Sequence, residues 1–288
     1  MSGSTGDGTN GPAEQPRGAV TVQEDGRLLV RVHAPLPASA QPRLLLQLRP
    51  KKGQPERTGR HLDLEPAGPD QWQAVLETAP ALEEGRWDAY VVGVPGEDRV
   101  PLLPGLRDLR TLATGRDGDR RATPLAVRVP YATKDGRLAV RAWRRTAHAE
   151  AGRITVAGDS MTVTGRLFGA RPAEGAVASL HRRGQGSVVR EFPLRAEGEQ
   201  DFSFTVGYTD LLAEGGGPAV GEAPVIWNVH VQPAAGARRV RVARLLDDIA
   251  DRKAVFVYPA TLLGEVSVRP YYTLDNDLSV EITAQRPR

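Results

Sequence analysis

The sequence predicts an all-β protein made of two tandem immunoglobulin-like β-sandwich domains related by internal duplication. Three observations predict it. Short apolar runs alternate with period two, the pattern of a strand with one buried and one solvated face. Clusters of Gly, Pro and Asp interrupt these runs at turn spacing. A motif also recurs: Pro130-Tyr131-Ala132-Thr133-Lys134-Asp135 followed by Leu138 and Val140 matches Pro270-Tyr271-Tyr272-Thr273-Leu274-Asp275 followed by Leu278 and Val280. The upstream segment Trp87-Asp88-Ala89-Tyr90-Val91 matches Trp227-Asn228-Val229-His230-Val231, so the Trp-to-Pro interval is the same in both copies.

Taken in order, residues 1–18 are rich in Gly, Ser, Thr and Pro and are expected to form a disordered tail. They have no basic start and no apolar segment of the secretory kind, so the expected location is cytoplasmic. Residues 19–143 form the first expected sandwich, with strands marked by Leu28, Val30 and Val32, by Leu44, Leu46 and Leu48, by Trp87, Ala89 and Val91, and by Leu138 and Val140. Residues 144–152 are expected to be a short linker. Residues 153–288 form the second sandwich, with Met161 and Val163, Phe202, Phe204 and Val206, Trp227, Val229 and Val231, Val240 and Val242, and Leu278, Val280 and Ile282 in the same rhythm. The earlier parts of the copies align at shorter offsets, and the second copy has an extra stretch, Glu214-Gly215-Gly216-Gly217-Pro218, that reads as a surface loop. Only Leu245 to Ala250 has the composition for a turn or two of helix. Six to eight short strands in about 130 residues favour a sandwich over a barrel.

Composition narrows the function classes. The 288 residues hold 40% hydrophobic and 25% charged residues, as soluble globular chains do, and no apolar run approaches the ~20 residues that span a bilayer. With no cysteine, disulfides, thiolate metal sites and a Cys nucleophile are excluded. The net charge is only +3, and Arg alternates with acid instead of clustering beside aromatic residues, so no nucleic-acid partner is expected.

Each candidate site has a plainer reading beside it. Ile154-Thr155-Val156-Ala157-Gly158-Asp159-Ser160 looks like the nucleophile turn of GDSL-type esterases, but a Ser nucleophile needs a His base, and no Asp is followed three residues later by His. A hairpin turn is expected instead. Asp275-Asn276-Asp277 has the spacing of a pair of carboxylates that share a hard cation. The other copy places Asp135-Gly136-Arg137 there, which also reads as a turn. The five His residues, at 33, 61, 148, 181 and 230, form no ligand pair, so no metal and no cofactor are expected. Trp87 and Trp227 are expected in the cores, and Tyr131 and Tyr271 at turns. Gly215-Gly216-Gly217 lacks the Lys-Ser/Thr of a phosphate loop. The densest basic run is Arg238-Arg239-Val240-Arg241-Val242-Ala243-Arg244. It reads as a charged outer strand face and is also the candidate contact for an anionic glycan or nucleotide. The expected ligand-binding residues are therefore Arg238, Arg239, Arg241, Arg244, Asp275 and Asp277, with no catalytic residue.

The repeated Trp-Asp-x-Tyr-Val and Pro-Tyr-x-Thr-x-Asp-x-x-Leu-x-Val resembles the non-catalytic β-sandwich extensions found in tandem on actinobacterial glycosyltransferases and CDP-glycerol glycerophosphotransferases of teichoic-acid-type cell-wall glycopolymer synthesis. The likeness covers about Ala19 to Ile282. It implies an accessory or binding protein whose partner is a transferase of that system. Two alternatives stand beside it: the chain is itself a transferase with a site between the domains, using Asp159, Asp275, Asp277 or the Arg238 to Arg244 run, or it is a purely structural module.

Overall fold

The computed structural model describes residues 15–36, 41–56, 59–93, 98–114, 124–185, 188–213 and 217–285. Strand makes up 54% of the described residues and helix 4%, so they are nearly all β. It packs as two compact units, Met1–Thr111 with Arg128–Ala142 and Leu112–Val127 with Trp143–Arg288. Most of the expected tail, and residues 214–216 of the expected loop, lie outside the described residues. Arg17 and Gly18, expected in the tail, instead open the first strand.

The first copy runs β1 (Arg17–Val22), β2 (Leu28–His33), β3 (Arg43–Leu48), β4 (Arg60–Asp63), β5 (Glu65–Gly68), β6 (Gln71–Leu76), β7 (Gly85–Val92), β8 (Val100–Pro101), β9 (Leu103–Asp108), helix α1 (Arg110–Thr114), β10 (Leu125–Ala132) and β11 (Leu138–Arg145). One sheet has the order β5-β6-β2-β1-β9, and the other β10-β11-β7-β3-β4 with β8 on β7. Val20, Val30, Val32, Trp72 and Leu76 of the first and Leu44, Leu46, Trp87, Val91 and Val140 of the second are buried. The sheets approach closely. A Cβ on Gly18 of β1 would fall 2.6 Å from the Leu102 side chain and 2.9 Å from that of Leu138 of β11, so a larger residue there would force these side chains to shift.

The second copy runs β12 (His148–Ala157), β13 (Ser160–Phe168), β14 (Val177–Arg182), β15 (Val189–Ala196), β16 (Asp201–Gly207), helix α2 (Tyr208–Leu212), β17 (Val225–Gln232), β18 (Val240–Ala243), β19 (Thr261–Leu263), β20 (Val266–Tyr272) and β21 (Leu278–Ala284). The order β14-β15-β16-β13-β12-β18-β17 returns to β14, closing a ring of seven, and β21-β20-β19 extend from β17. Trp227, Tyr208, Phe202, Leu180, Val229 and Val280 are fully or almost fully buried inside it. Trp87 and Trp227 are thus both core residues, as expected.

The pairings match strand for strand. The pairs β1–β2, β2–β6, β3–β7 and β7–β11 have the counterparts β12–β13, β13–β16, β14–β17 and β17–β21, and the parallel pair β1–β9 has the counterpart β12–β18. Trp87 opposes Val140 and Trp227 opposes Val280, so the register is preserved as well. The copies differ at two corners. In the second, β15 pairs with β14 and then β16, and β18 with β17 and then β12, so both strands pass from one sheet to the other. In the first, buried Leu64 and Leu102 interrupt the equivalent strands, giving β4 and β5, and β8 and β9. Period-two alternation is common to sandwiches and closed rings, so it could not show this closure.

Two local expectations change. The expected linker, Arg144 to Gly152, holds the end of β11 and the start of β12, with Ala149 and Ala151 buried. Leu245 to Ala250 is not helical. Its backbone is held open because the Leu245 and Leu246 amides donate to the Glu150 carboxylate, at 2.9 and 3.1 Å. The two helical turns lie elsewhere, in α1 and α2. No helix among the described residues is long and apolar enough to cross a membrane.

Candidate functional site

The second copy carries a polar groove on the outer face of its ring. β17 alternates regularly, burying Val225, Trp227, Val229 and Val231 and turning Ile226, Asn228, His230 and Gln232 outward. Register then builds two rows across neighbouring strands. His181 of β14 opposes Asn228, which opposes Ser279 of β21, which opposes Tyr271 of β20. Ser179 opposes His230, which opposes Arg241 of β18. A cavity of about 440 Å³ opens over these rows, lined by Arg183, Asn228, His230, Arg241, Tyr271 and Asp277 among others. That volume falls within the range of small-ligand sites.

Arg241 organises the groove. Its Nη2 donates to Asn228 Oδ1 at 3.1 Å and to Ser279 Oγ at 2.9 Å, and its Nε lies 3.4 Å from Asp277 Oδ2. Asp277 also lies 3.7 Å from Arg145, so one carboxylate stands between two guanidiniums. Burial pulls Arg241 below the usual arginine range, and Asp277 offsets part of that shift. Arg183, exposed at the groove mouth, donates to the same Asn228 Oδ1 at 2.9 Å. The His230 imidazole packs edge-on against His181 at 4.8 Å, and burial chiefly, then Arg241 and His181, depress its pKa to about 3. Burial, Arg239 and Arg241 also lower His181. Both imidazoles are therefore neutral at pH 7, and the groove's charge comes from its Arg, Lys and Asp residues.

The structure gathers three of the six expected residues here: Arg241, Asp275 and Asp277. Arg239, two positions before Arg241 and on the same side of the chain, reaches the His181 ring nitrogens at 2.9 and 3.1 Å. Arg238 is exposed ahead of β18. Arg244 lies past the end of β18 and turns away, pairing with Asp247 and lying 5.3 Å over the Phe256 ring. Asp275-Asn276-Asp277 is a hairpin turn: the Thr273 amide bonds the Asp277 carbonyl at 2.9 Å, as the Thr133 amide bonds Arg137 at 2.8 Å in the first copy. Asn276 has the positive φ of 60° that Gly136 supplies in the other copy. Its amide side chain accepts from the Arg252 N–H and donates to the Ile249 carbonyl.

Ser160 also lies in a hairpin. Its hydroxyl donates to the Ala157 carbonyl at 3.0 Å, and Gly158 before it has φ 57°, so its geometry is that of a turn. Among the described residues, no group of three or more His, Cys, Asp and Glu is placed to hold a metal ion. Arg183, Asn228, His230 and Tyr271 were not picked out as site residues in the sequence. Each sits on a different strand or strand end, or is separated by a strand's alternation, so only the register brings them together. One signal was present: Trp87-Asp88 is matched by Trp227-Asn228, a change from acid to amide within an otherwise repeated motif.

No family model and no curated protein matches the chain. Among solved structures, the crystal structures of S. aureus TarS and of its residues 217-571 each align with 66% of this chain at 14% identity, with TM-scores of 0.30 and 0.31. The chain covers 35% of the first and 55% of the second, so it spans roughly a third and a half of those structures.

Proposed function

We propose that this chain is a non-catalytic accessory module of a glycosyl- or polyol-phosphate-transferase system in cell-envelope glycopolymer synthesis, working in the cytoplasm, and that the outer groove of the second copy holds its ligand. In the same proposal, both copies derive from Ig-like sandwiches, with the corner strands shared between sheets in the second and interrupted in the first. The motif resemblance supplies the setting. The observation that carries the ligand surface is charge: Arg183, Arg241 and Lys253 line the groove against Asp275 and Asp277, which leaves a positive excess over a largely polar floor. Polymers built on phosphodiesters have the complementary charge, and Arg recognises oxyanions through its forked N–H donors.

Calorimetric titration of the full chain with purified poly(glycerol phosphate), with neutral dextran as the control, tests this. Saturable binding to the charged polymer that weakens with added salt is expected. Equal binding to dextran, or none to either, would count against the proposal. Turnover of CDP-glycerol or a nucleotide sugar by the pure protein would defeat its non-catalytic part.

A further inference from the structure

We infer that Arg183 and Arg241 form a phosphoryl-binding subsite, and that its ligand is a phosphate carried on an open-chain polyol and not on a nucleotide. The inference deepens the ligand reading above and rests on it for the polymer context.

The first copy supplies the internal contrast. Arg49 is the counterpart of Arg183: their backbone amides bond the carbonyls of Arg86 and Ile226, which are equivalent positions. Asp88 is the counterpart of Asn228, since each directly follows the repeated Trp. Arg49 is neutralised there by a two-pronged bond to Asp88, at 2.7 and 3.1 Å. In the second copy the amide oxygen of Asn228 takes the carboxylate's place. It fixes the Arg183 guanidinium without cancelling its charge, and it also binds Arg241, which stands where the first copy has Pro101. Two guanidiniums are thus held on one neutral oxygen.

Like charges at that distance repel, and Arg183 is among the groups that lower the Arg241 pKa. A bound oxyanion relieves that repulsion and can accept from both guanidiniums. Asp277 does not fill this role for Arg183, because it already stands between Arg145 and Arg241.

The rest of the groove selects what carries the phosphate. Bases and pyranose rings are usually held by stacking on an aromatic face. Among the described residues, Tyr271 is the one Tyr, Phe or Trp lining the groove, and the Lys253 ammonium lies 5.8 Å over its ring. With that face occupied by a cation, the remaining lining is polar except for Leu274, which suits hydroxyls on a flexible chain.

The test is ¹⁵N NMR of the full chain titrated separately with glycerol 3-phosphate, inorganic phosphate, sulfate and CMP, following the Asn228 side-chain amide and Arg183 Nε. Glycerol 3-phosphate should shift both signals and bind more tightly than the other three. Asn228→Asp, which restores the first copy's ion pair, should weaken it roughly tenfold or more with the melting temperature unchanged. Arg183→Gln, at an exposed position, should do the same and guards against a folding effect. Unchanged binding in both variants, no shift in the wild type at millimolar ligand, or CMP or sulfate binding as tightly as glycerol 3-phosphate would each overturn the inference. Polymer binding that survives both substitutions would leave the proposed function standing without this subsite. Glycerol 3-phosphate binding without polymer binding would do the reverse.

Discussion

At position 88 of the first copy stands an aspartate, and at position 228 of the second, one strand register and one repeat away, an asparagine. Around the first, Arg49 is paired and the neighbouring rows hold Leu45, Tyr90, Pro101 and Ala139. Around the second they hold Ser179, His230, Arg241 and Ser279. Inward-facing neighbours such as Leu46, Ala89, Val91 and Val140 are matched by Leu180, Val229, Val231 and Val280, all apolar, while the outward ones changed in charge and hydrogen-bonding capacity. A duplicated fold can keep its core and acquire a site by substitution on a single face, because alternation along a strand separates the two sets.

Four experiments would break or sharpen this contrast. The largest effect is expected from acid. His230 has a folded-state pKa near 3 against an ordinary 6.5, so its neutral form is favoured on folding. The stability linked to it is present above pH 6.5 and is lost as pH falls through the window between these values. The loss is at most on the order of 5 kcal/mol over that whole window and is reduced by the group's partial exposure. Its counterpart in the first copy is Tyr90, which carries no imidazole. Denaturant melts at pH 7 and pH 4 should show this loss, and His230→Gln should flatten it; an unchanged slope in the variant would exclude His230 as the cause.

Packing comes next. Gly165 lies beneath Phe202, where a Cβ would fall 2.4 Å from the ring, whereas the first copy places Val32 against Trp72. Gly165→Val should cost about 1–3 kcal/mol in a urea melt. A neutral result would mean that the two cores are interchangeable at this pair.

Asn276→Gly should cost about 1–2 kcal/mol despite relieving a positive φ, because it leaves the buried Arg252 amide and Ile249 carbonyl without their partner. The mirror change Gly136→Asn, which meets no atom within 4 Å, should cost under about 1 kcal/mol. Equal costs would show that the turns are equivalent after all. The smallest effect is expected from Asp88→Asn: the Arg49 pair is partly solvated and contributes about 1 kcal/mol or less. It should not create glycerol 3-phosphate binding in the first copy, since Pro101 offers no second guanidinium. Calorimetry on that variant checks both points.

The strand rhythm and the repeat were legible because alternation and a fixed spacing survive in the chain itself. Closure of the ring was not, since it depends on whether one residue, Leu64 or Leu102, interrupts a strand. Arg241 and Asp277 were visible as parts of conspicuous runs, whereas Arg244 and Arg238 shared the same run but leave the groove through alternation and the end of β18. Leu245 to Ala250 had a helix former's composition, but Glu150, almost a hundred residues earlier, captures its amides. Register, which sets Asn228 between His181 and Ser279, is a property of pairing and could not be read from any single segment.

Asn276 has one further consequence. By bonding both the Arg252 amide and the Ile249 carbonyl, it ties the turn that walls the groove to a loop more than twenty residues away. A ligand of the proposed groove would therefore meet a wall that is already ordered and forfeit little conformational entropy on arrival. Association should then be fast and insensitive to variants around the rim, with differences in affinity appearing in residence time.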